Sequence, residues 1–300
     1  RAPGKLMLLG EHAVLHGRLA LVAAVERWLT VSLTPLHEPA VRVQSALGEL
    51  ELPLDKLAPQ SPFSFILQIL AARQATLPGG LALTVSSEFP ATLGLGSSSA
   101  VCAATVAAVR AWLGLPFDRS AIFTEALAAI RAVQGRGSGA DLAAAVHGGV
   151  LAYRAAPLSI TPLATTLPLV AAYSGGKEAT PAVVHQVQEL GKRWPALIGA
   201  TYEQMERSSL LAAEACRAGD WAKLGQLMNF QQGQMESLGL ANLSLATLVH
   251  QLRRDAGIFG SKISGAGLGD CVIGLGTLQD PAAMPAAQVM PIAAHGVELI

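Results

Sequence analysis

A chain of 300 residues with 51% hydrophobic side chains can bury a large core, and chains of this size usually divide into two domains. Its 21 basic residues balance 21 acidic ones, and no basic block stands out, which argues against a nucleic-acid partner. No stretch of about 18 apolar residues runs without a polar interruption, so we expect no membrane-spanning helix.

Strands and helices are mixed through the first half of the chain. The segments LTVSLT (29–34), VRVQS (41–45) and LALTVSS (81–87) show the alternation that is typical of strands. Between the last two, apolar residues recur over 61–77 at the spacing of one helix face, and Pro62 suits the first turn of that helix. The first half is therefore predicted to contain both α and β structure.

A change of composition over 155–168 suggests a boundary between two domains. This segment is rich in Pro, Thr and Ser and has no helical periodicity, which makes it the best candidate for a domain junction. We therefore predict a first domain over residues 1–160 and a second over residues 161–300.

The second half is predicted to begin with a strand at 167–174 and to continue with several consecutive helices over 181–256. Breaks between these helices are expected at three places: near Pro195, at Gly219–Asp220 and over Gly239–Asn242. Strands return in the last part of the chain, with candidates at 261–267, 271–276 and 289–294.

Two glycines and three serines stand directly before a run of small apolar residues in LGLGSSSAVCAATVAAV (93–109). The first N–H groups of a helix lack partners and attract anions. Gly94 and Gly96 would also let a phosphate approach the backbone closely. A tight turn and a helix capped by Ser97 explain the same residues, so this segment alone leaves capping and phosphate binding equally open.

Two further segments combine glycines with chemistry-bearing residues. The segment SGAGLGDC (264–271) carries glycines at alternate positions, and GRGSGADLAAAVHGG (135–149) places Asp141 at the head of an apolar helix. Neither a P-loop nor a dinucleotide-binding glycine fingerprint in its proper context occurs. The two commonest nucleotide-binding folds are therefore poorly supported.

Three segments of the chain resemble the sequence motifs of the GHMP kinases, in the order and rough spacing of that family. They are APGKLMLLGEHAVLHG (2–17), PATLGLGSSSA (90–100) and KISGAGLGDC (262–271), and the first is similar to mevalonate kinases. The resemblance implies an α+β fold with an N-terminal ribosomal-S5-like domain and a C-terminal ferredoxin-like domain. It also implies ATP in the cleft between them and phosphoryl transfer to a small alcohol.

The same resemblance assigns roles to individual residues. Asp141 would accept the proton of the acceptor hydroxyl, and Lys5 would stabilise the transferring charge, although a helix cap and a solvated lysine are the plainer alternatives. Ser98 would bind Mg²⁺. The implied ATP-binding residues are Gly94, Leu95, Gly96, Ser97, Ser98, Ser99, Gly265 and Gly267.

The resemblance places three residues on the acceptor side of the cleft. Glu11 and His12 would face the substrate, and a donor such as His12 or Lys5 could bind the carboxylate of mevalonate. Thr180 resembles a family position near the substrate, while its plain interpretation is a helix N-cap followed by Pro181.

The chain also departs from the mevalonate kinase pattern. Ile130 stands where that family commonly has a second acidic metal ligand, and Glu125 is the nearest acid upstream. The GDC ending of the third motif and the segment around Asp141 look more like phosphomevalonate kinases, whose acceptor carries an extra dianion. Candidate cations for it are Arg18, Arg136 and Lys177.

We therefore expect a cytoplasmic, ATP- and Mg²⁺-dependent kinase of mevalonate, with phosphomevalonate as the alternative acceptor. A catalytically silent member of the fold that binds ligands as a regulator is the alternative from another class. A homodimer stays open. The three cysteines lie far apart and match no zinc or redox spacing, which is typical of reduced thiols.

Overall fold

The structure, a computed structural model, describes residues 1–90, 93–176 and 178–300. Within these residues the chain forms one sheet of seven strands and one of four, both covered by helices. The larger sheet comprises β1 (Ala2–Leu9), β2 (Ala20–Leu36), β3 (Ala40–Ser45), β4 (Gly48–Pro53), β5 (Gly80–Ser87), β6 (Val150–Ala155) and β7 (Leu158–Ala164). Its order is β4-β3-β5-β2-β6-β7, with β1 paired to β2, and only the β3–β5 pairing is parallel.

Helices of small residues cover the larger sheet. They are α1 (Ser64–Arg73), α2 (Ser97–Trp112), α3 (Arg119–Gln134) and α4 (Ala140–His147). The helix α2 contacts β1, β2 and the other three helices, and most of its residues are buried. Alanine, cysteine and serine side chains allow this central position because they let a helix approach its neighbours closely. The N-terminal ends of α2 and α4 are thereby fixed beside β1.

The second sheet consists of β8 (Leu169–Tyr173), β9 (Ile258–Ser264), β10 (Cys271–Gly276) and β11 (Ala287–Val289), in the order β11-β8-β10-β9. Four helices precede β9 in the chain: α5 (Thr180–Arg193), α6 (Pro195–Ala218), α7 (Trp221–Ser237) and α8 (Leu243–Arg254). The helices α7 and α8 pack on β9, and α6 also contacts the larger sheet. The predicted α+β class is confirmed.

The local signals in the sequence located most element ends correctly. All three predicted helix breaks separate consecutive helices, and the strands predicted at 29–34, 41–45 and 81–87 lie within β2, β3 and β5. Proline, glycine and an Asp or Asn cap mark these helix ends because each of them interrupts or starts a helix through its own backbone. The side chains of Asp220 and Asn242 do accept hydrogen bonds from the first turns of α7 and α8.

One local prediction was wrong. Pro62 is not in the first turn of α1, which begins at Ser64 with Phe63 as its N-cap. Half of the predicted junction over 155–168 is β7, which pairs with β6 as an edge strand of the larger sheet. Edge strands tolerate the proline and polar residues of this segment. The chain passes between the sheets over residues 165–168, and the division at residue 160 stays a prediction.

The last residues of the chain return to the larger sheet. Only part of the strand predicted at 289–294 forms, because β11 ends at Val289 and Ile292 makes an isolated bridge to Val25. The guanidinium of Arg1 lies 2.7 Å from the carboxylate of Glu298, so both chain ends meet beside β2.

An ion cluster joins α6 in the second half of the molecule to β6 and to the segment before β2 in the first half. Glu206 on α6 accepts hydrogen bonds of 2.7 Å from both Arg18 and Arg154, and the Arg154 guanidinium also donates to the Gly17 carbonyl. Beside it, the rings of His16 and Tyr202 stack with centroids 4.6 Å apart. Burial raises the pKa of Glu206, but the two arginines outweigh it, and the pKa lies below its usual value.

We expect Glu206→Gln to lower the free energy of unfolding by about 1–2 kcal/mol at pH 7. Hydrogen bonds between charged groups contribute this much when one partner, here Arg18, is partly exposed. A carboxylate whose pKa is lower in the folded protein than in the unfolded chain stabilises the folded state at pH values above the unfolded pKa, which is near 4.3. This contribution disappears as the pH falls through the pKa of the folded state. Denaturant melts of both proteins should therefore converge towards pH 3. Glu203→Gln, at an exposed position of α6, is the control; a loss as large as that of Glu206→Gln would contradict the assignment.

No helix among the described residues is both long and apolar enough to cross a bilayer.

The cysteines Cys102, Cys216 and Cys271 are buried, and burial raises the pKa of the Cys216 thiol to about 11. The cytoplasmic location and the homodimer stay predictions.

Candidate active site

A cavity of about 220 Å³ opens between the two halves of the molecule. It lies beside β1 and between the N-terminal ends of α2, α4 and α5, and the loop that joins β9 to β10 closes it from the second half. Of the residues predicted for the site, the cavity is lined by Lys5, Glu11, His12, Ser98, Ser99, Asp141, Thr180 and Gly265. The other predicted residues do not line it; they are Gly94, Leu95, Gly96, Ser97 and Gly267.

The helix α2 begins at Ser97 without a side-chain cap. Its N-cap is Gly96, in the left-handed conformation, so the structure does not support the alternative that Ser97 caps the helix. Ser98 makes no side-chain hydrogen bond to the rest of the described chain, and it lines the cavity with Ser99. Unpaired N–H groups and a free hydroxyl at a helix N-terminus provide donors for an anion.

The loop before α2 is glycine-rich because other side chains occupy the space beside it. Gly94 has φ +72°, and a Cβ there would lie 2.6 Å from Cβ of Asp270. Gly96 has φ +76°, and a Cβ there would lie 2.8 Å from Cγ of Lys5. The carbonyl of Leu95 accepts a hydrogen bond of 2.9 Å from the N–H of Lys5. The glycines thus admit Lys5 and Asp270, a reason that the sequence did not reveal.

We expect Gly96→Ala to lower both stability and kcat. A left-handed alanine costs about 1–2 kcal/mol, and its Cβ would also push the Lys5 side chain away from its present position. The matched control is Gly114→Ala, since Gly114 has a similar φ of +66° but nothing within 4 Å of the added Cβ. Denaturant melts should show a loss in both variants, and kcat should fall only in Gly96→Ala; equal kcat values would contradict the role of the Lys5 contact.

Lys5 and Asp141 form an ion pair inside the cavity. The Lys5 ammonium lies 3.2 Å from Oδ2 of Asp141, and the two side chains are 6% and 41% exposed. Lys5 comes from the fully buried strand β1, and Asp141 is the second residue of α4. The N-cap of α4 is Gly139, with no side-chain hydrogen bond, so the structure does not support Asp141 as a helix cap.

The loop before Asp141 is held by a buried tyrosine. The hydroxyl of Tyr153, on β6, donates to the carbonyl of Ser138, and burial raises its pKa to about 12. Gly139 has φ +91°, and a Cβ there would lie 2.5 Å from that hydroxyl. The sheet therefore fixes the position of the Asp141 carboxylate through the turn that precedes it.

His12 offers an acceptor to the cavity. Its Nε2 lies 2.8 Å from the carbonyl oxygen of Ala266, and because a carbonyl only accepts, Nε2 carries the ring proton. Burial lowers the pKa of His12, while the bond to Ala266 and the charge of Glu11 oppose that shift. In the neutral ring Nδ1 is an acceptor, which differs from the expectation that His12 donates to a carboxylate.

Glu11 is held by two side chains from the second half of the molecule. Lys262 donates to its Oε1, and Nε2 of Gln231 lies 3.3 Å from its Oε2. Burial lowers the pKa of Lys262, the charge of Glu11 opposes this shift, and the positive charge of Lys5 adds to it. Sequence reasoning missed both partners. The signal for Lys262 was a charged residue inside a strand, whereas Gln231 on α7 gave none.

Of the remaining predicted residues, Thr180 and Gly265 line the cavity and Gly267 does not. Thr180 lines the cavity, but it is the first residue of α5 and not its cap, which is Ala179. Gly265 lines the cavity with φ +99°. Gly267 instead packs against Leu240, where a Cβ would lie 2.7 Å from the leucine Cβ.

The expected second acidic metal ligand is missing from its family position. Ile130 is buried and lines the cavity, and Glu125 is held by Arg73 and Arg110 at 2.6 Å each, outside the cavity lining. Within the described residues, no group of three or more His, Cys, Asp or Glu side chains could hold a metal ion. A metal at this site would depend on the ligand's own oxygens for most of its coordination.

Family models match both halves of the chain. Residues 64–149 match the N-terminal domain of the GHMP kinases, and residues 212–287 match their C-terminal domain. The mevalonate kinase of Aeropyrum pernix is 37% identical over 286 residues, which cover 91% of this chain and 87% of that protein. The mevalonate kinase of Archaeoglobus fulgidus is 31% identical over 276 residues, with coverages of 91% and 90%.

Solved structures share the whole fold. The mevalonate kinase of L. major in complex with R-mevalonate superposes with a TM-score of 0.81 at 23% identity, covering 99% of this chain and 96% of that one. The phosphomevalonate kinase of Streptococcus pneumoniae, in complex with phosphomevalonate and AMPPNP, gives a TM-score of 0.79 at 20% identity, with coverages of 96% and 97%. At these identities the similarity shows the fold alone.

Proposed function

The chain belongs to the GHMP kinases, and we propose that it transfers the γ-phosphoryl group of ATP to the 5-hydroxyl of mevalonate. The observation that carries this proposal is the Lys5–Asp141 pair, which lies in one cavity with the donors at the start of α2. The identity to curated mevalonate kinases supports the choice of acceptor.

Asp141 is placed to act as the base. Phosphoryl transfer is catalysed mainly by positioning and by charge stabilisation, and a carboxylate orients the attacking hydroxyl. As the hydroxyl oxygen bonds to the γ-phosphorus, the bond to the ADP oxygen breaks, and the proton passes to the Asp141 carboxylate. The Lys5 ammonium, 3.2 Å from that carboxylate, keeps it oriented and stabilises the negative charge on the phosphoryl oxygens.

The start of α2 is placed to hold the nucleotide phosphates. Ser98 and Ser99 line the cavity, and the unpaired N–H groups of the first turn add the positive end of the helix dipole. Gly265 approaches from the second half of the molecule. Two segments that are distant in sequence would thereby enclose the phosphates and exclude water.

The residues present fit a magnesium ion that arrives with the nucleotide. Magnesium in kinases is usually bound by phosphate oxygens, waters and only one or two protein groups, and Ser98 has a free hydroxyl in the cavity. We infer that Ser98 would hold it, without a carboxylate from position 130. Such an ion would neutralise part of the phosphate charge. Lys5 would still orient the Asp141 carboxylate, and Asp141 would still accept the proton of the hydroxyl.

The structure weakens the case for phosphomevalonate as the acceptor. An extra dianion needs basic side chains in the cavity, but Arg18 is bound to Glu206 and does not line it. Lys177 lies outside the described residues. Arg136 does line the cavity, where it donates to the Pro181 carbonyl and to Gln188, and it is the observation that keeps this alternative open.

A coupled assay of ADP release with purified protein tests the proposal. We expect turnover with R-mevalonate and ATP, and at least tenfold lower kcat/KM with phosphomevalonate. Galactose serves as an uncharged alcohol control. Turnover confined to phosphomevalonate would overturn the choice of acceptor, and turnover of none of the three would favour the silent ligand-binding alternative.

A further inference from the structure

Lys262 lies directly behind the wall of the cavity that carries Glu11. Its side chain is completely buried in β9, and its ammonium donates to Glu11 and to the carbonyl of Ile263. Glu11 lines the cavity whereas Lys262 does not. The lysine therefore does not contact a ligand in the cavity directly.

The wall in front of Lys262 offers hydrogen-bond acceptors. Each oxygen of a carboxylate has two acceptor positions, and each oxygen of Glu11 uses one for a donor from the second half of the molecule. The neighbouring His12 ring offers Nδ1. Such a wall matches a hydroxyl group, which is a donor, and it does not match the carboxylate end of an acid.

We propose that Lys262 is a positioning residue that orients Glu11 and cancels its charge, so that Glu11 and His12 accept hydrogen bonds from the tertiary hydroxyl of an anionic acceptor. This inference rests on the proposed function and adds to it the contact that the 3-hydroxyl of mevalonate makes.

Charge cancellation explains why a buried ion pair stands here. An apolar pair of similar volume would join the two halves of the molecule at least as stably as an ion pair does. It would, however, leave the cavity wall without acceptors. A lone Glu11 carboxylate would supply acceptors, but it would repel the carboxylate of the substrate through a cavity of low dielectric constant.

Three variants separate the effect of the charge of the wall from the effect of its acceptors. They are Lys262→Met, Glu11→Gln and the double variant. Each is assayed at pH 8.5 with mevalonate and with 3-methylpentane-1,3,5-triol, which has a hydroxyl in place of the carboxylate. The measured quantity is the ratio of kcat/KM for mevalonate to kcat/KM for the triol. This ratio does not change when a variant merely unfolds in part, because both acceptors see the same fraction of folded enzyme.

The ratio should fall in one single variant and hold in the other. Lys262→Met leaves a net negative wall and should lower the ratio about tenfold, as expected for a like charge near a bound anion. Glu11→Gln removes the charge that opposes the lowering of the Lys262 pKa by burial, so Lys262 can lose its proton and the ratio should stay within about twofold of the wild-type value. The double variant should return to the wild-type ratio, and the KM for ATP should change less than threefold throughout.

Equal ratios in all four proteins would overturn the role of Lys262, as would a double variant that keeps the low ratio of Lys262→Met. If Lys262→Met does not fold, Lys262→Gln, which keeps a donor to Glu11 without the positive charge, should show the same fall, and an unchanged ratio in it would overturn the proposal. A wild-type enzyme that does not phosphorylate mevalonate would instead overturn the proposed function, so the two failures are distinguishable.

Discussion

Asp141→Asn is expected to lower kcat by about two to four orders of magnitude, the usual contribution of a positioned general base. Asparagine keeps the size of the side chain and an oxygen that can accept from Lys5, so the ion pair becomes a hydrogen bond and the fold should persist. It cannot take up the proton of the attacking hydroxyl. The KM for ATP should change little, because the predicted phosphate contacts come from α2 and not from α4. The measurement is steady-state ADP release together with a thermal melt.

Asp55→Asn provides the control for Asp141→Asn. Asp55 is exposed in a short 3-10 helix over Leu54–Lys56 and does not line the cavity. Its substitution should leave kcat within twofold of the wild-type value. A kcat for Asp141→Asn within tenfold of the wild type would sink the assignment of Asp141 as the base.

Lys5→Met is expected to lower kcat by about two to three orders of magnitude, as the loss of one positive donor to a developing oxyanion does in other enzymes. Methionine has nearly the same length and apolar stem, so it can fill the space beside Gly96 that a Cβ would otherwise occupy. The substitution removes the charge from a side chain that is only 6% exposed, and with it the proposed stabilisation of the phosphoryl oxygens.

The double variant Lys5→Met/Asp141→Asn tests whether the two residues act as one unit. Groups that work together show strong non-additivity, so the double variant should be about as slow as the slower single variant. Lys56→Met, at an exposed lysine outside the cavity, is the control for the loss of a positive charge. Additive losses in the double variant would mean that Lys5 and Asp141 act on separate steps.

The segment from Glu11 to Arg18 connects the two halves of the molecule at several points. Glu11 is held by Lys262, His12 donates to Ala266, and Arg18 is held by Glu206. On β1, the N–H of Met7 adds a hydrogen bond of 2.9 Å to the hydroxyl of Ser264. The strand that carries Lys5 is therefore fixed against the second half of the molecule on one side of the cavity.

Much of the secondary structure followed from local chemistry. The breaks at Pro195 and at Gly219–Asp220 were predictable because proline, glycine and capping side chains act on the backbone next to them. The edge strand β7 was not predictable in this way. Its residues resemble a linker, and only pairing with β6 makes them a strand. The same limit applies to Pro62, since the position of α1 depends on its packing against α2 and α3.

The site shows the same division between local and long-range causes. The resemblance of three segments to the GHMP kinase motifs led to Lys5, Ser98 and Asp141, and the structure brings all three residues to one cavity. The sequence did not reveal the second reason for Gly94 and Gly96, because the side chains beside them come from segments distant in the chain. The donor state of His12 likewise depends on a carbonyl 254 residues away.

By itself, the sequence determined the α+β class through periodicity and caps, which act over a few residues, and three of its segments resemble the motifs of the GHMP kinases, the family to which the chain belongs. The tertiary structure alone decided that Glu11 is neutralised from behind by Lys262 and that Glu125 is bound to arginines away from the cavity. Burial and charge pairing depend on contacts between residues far apart in the chain, and no local pattern encodes them.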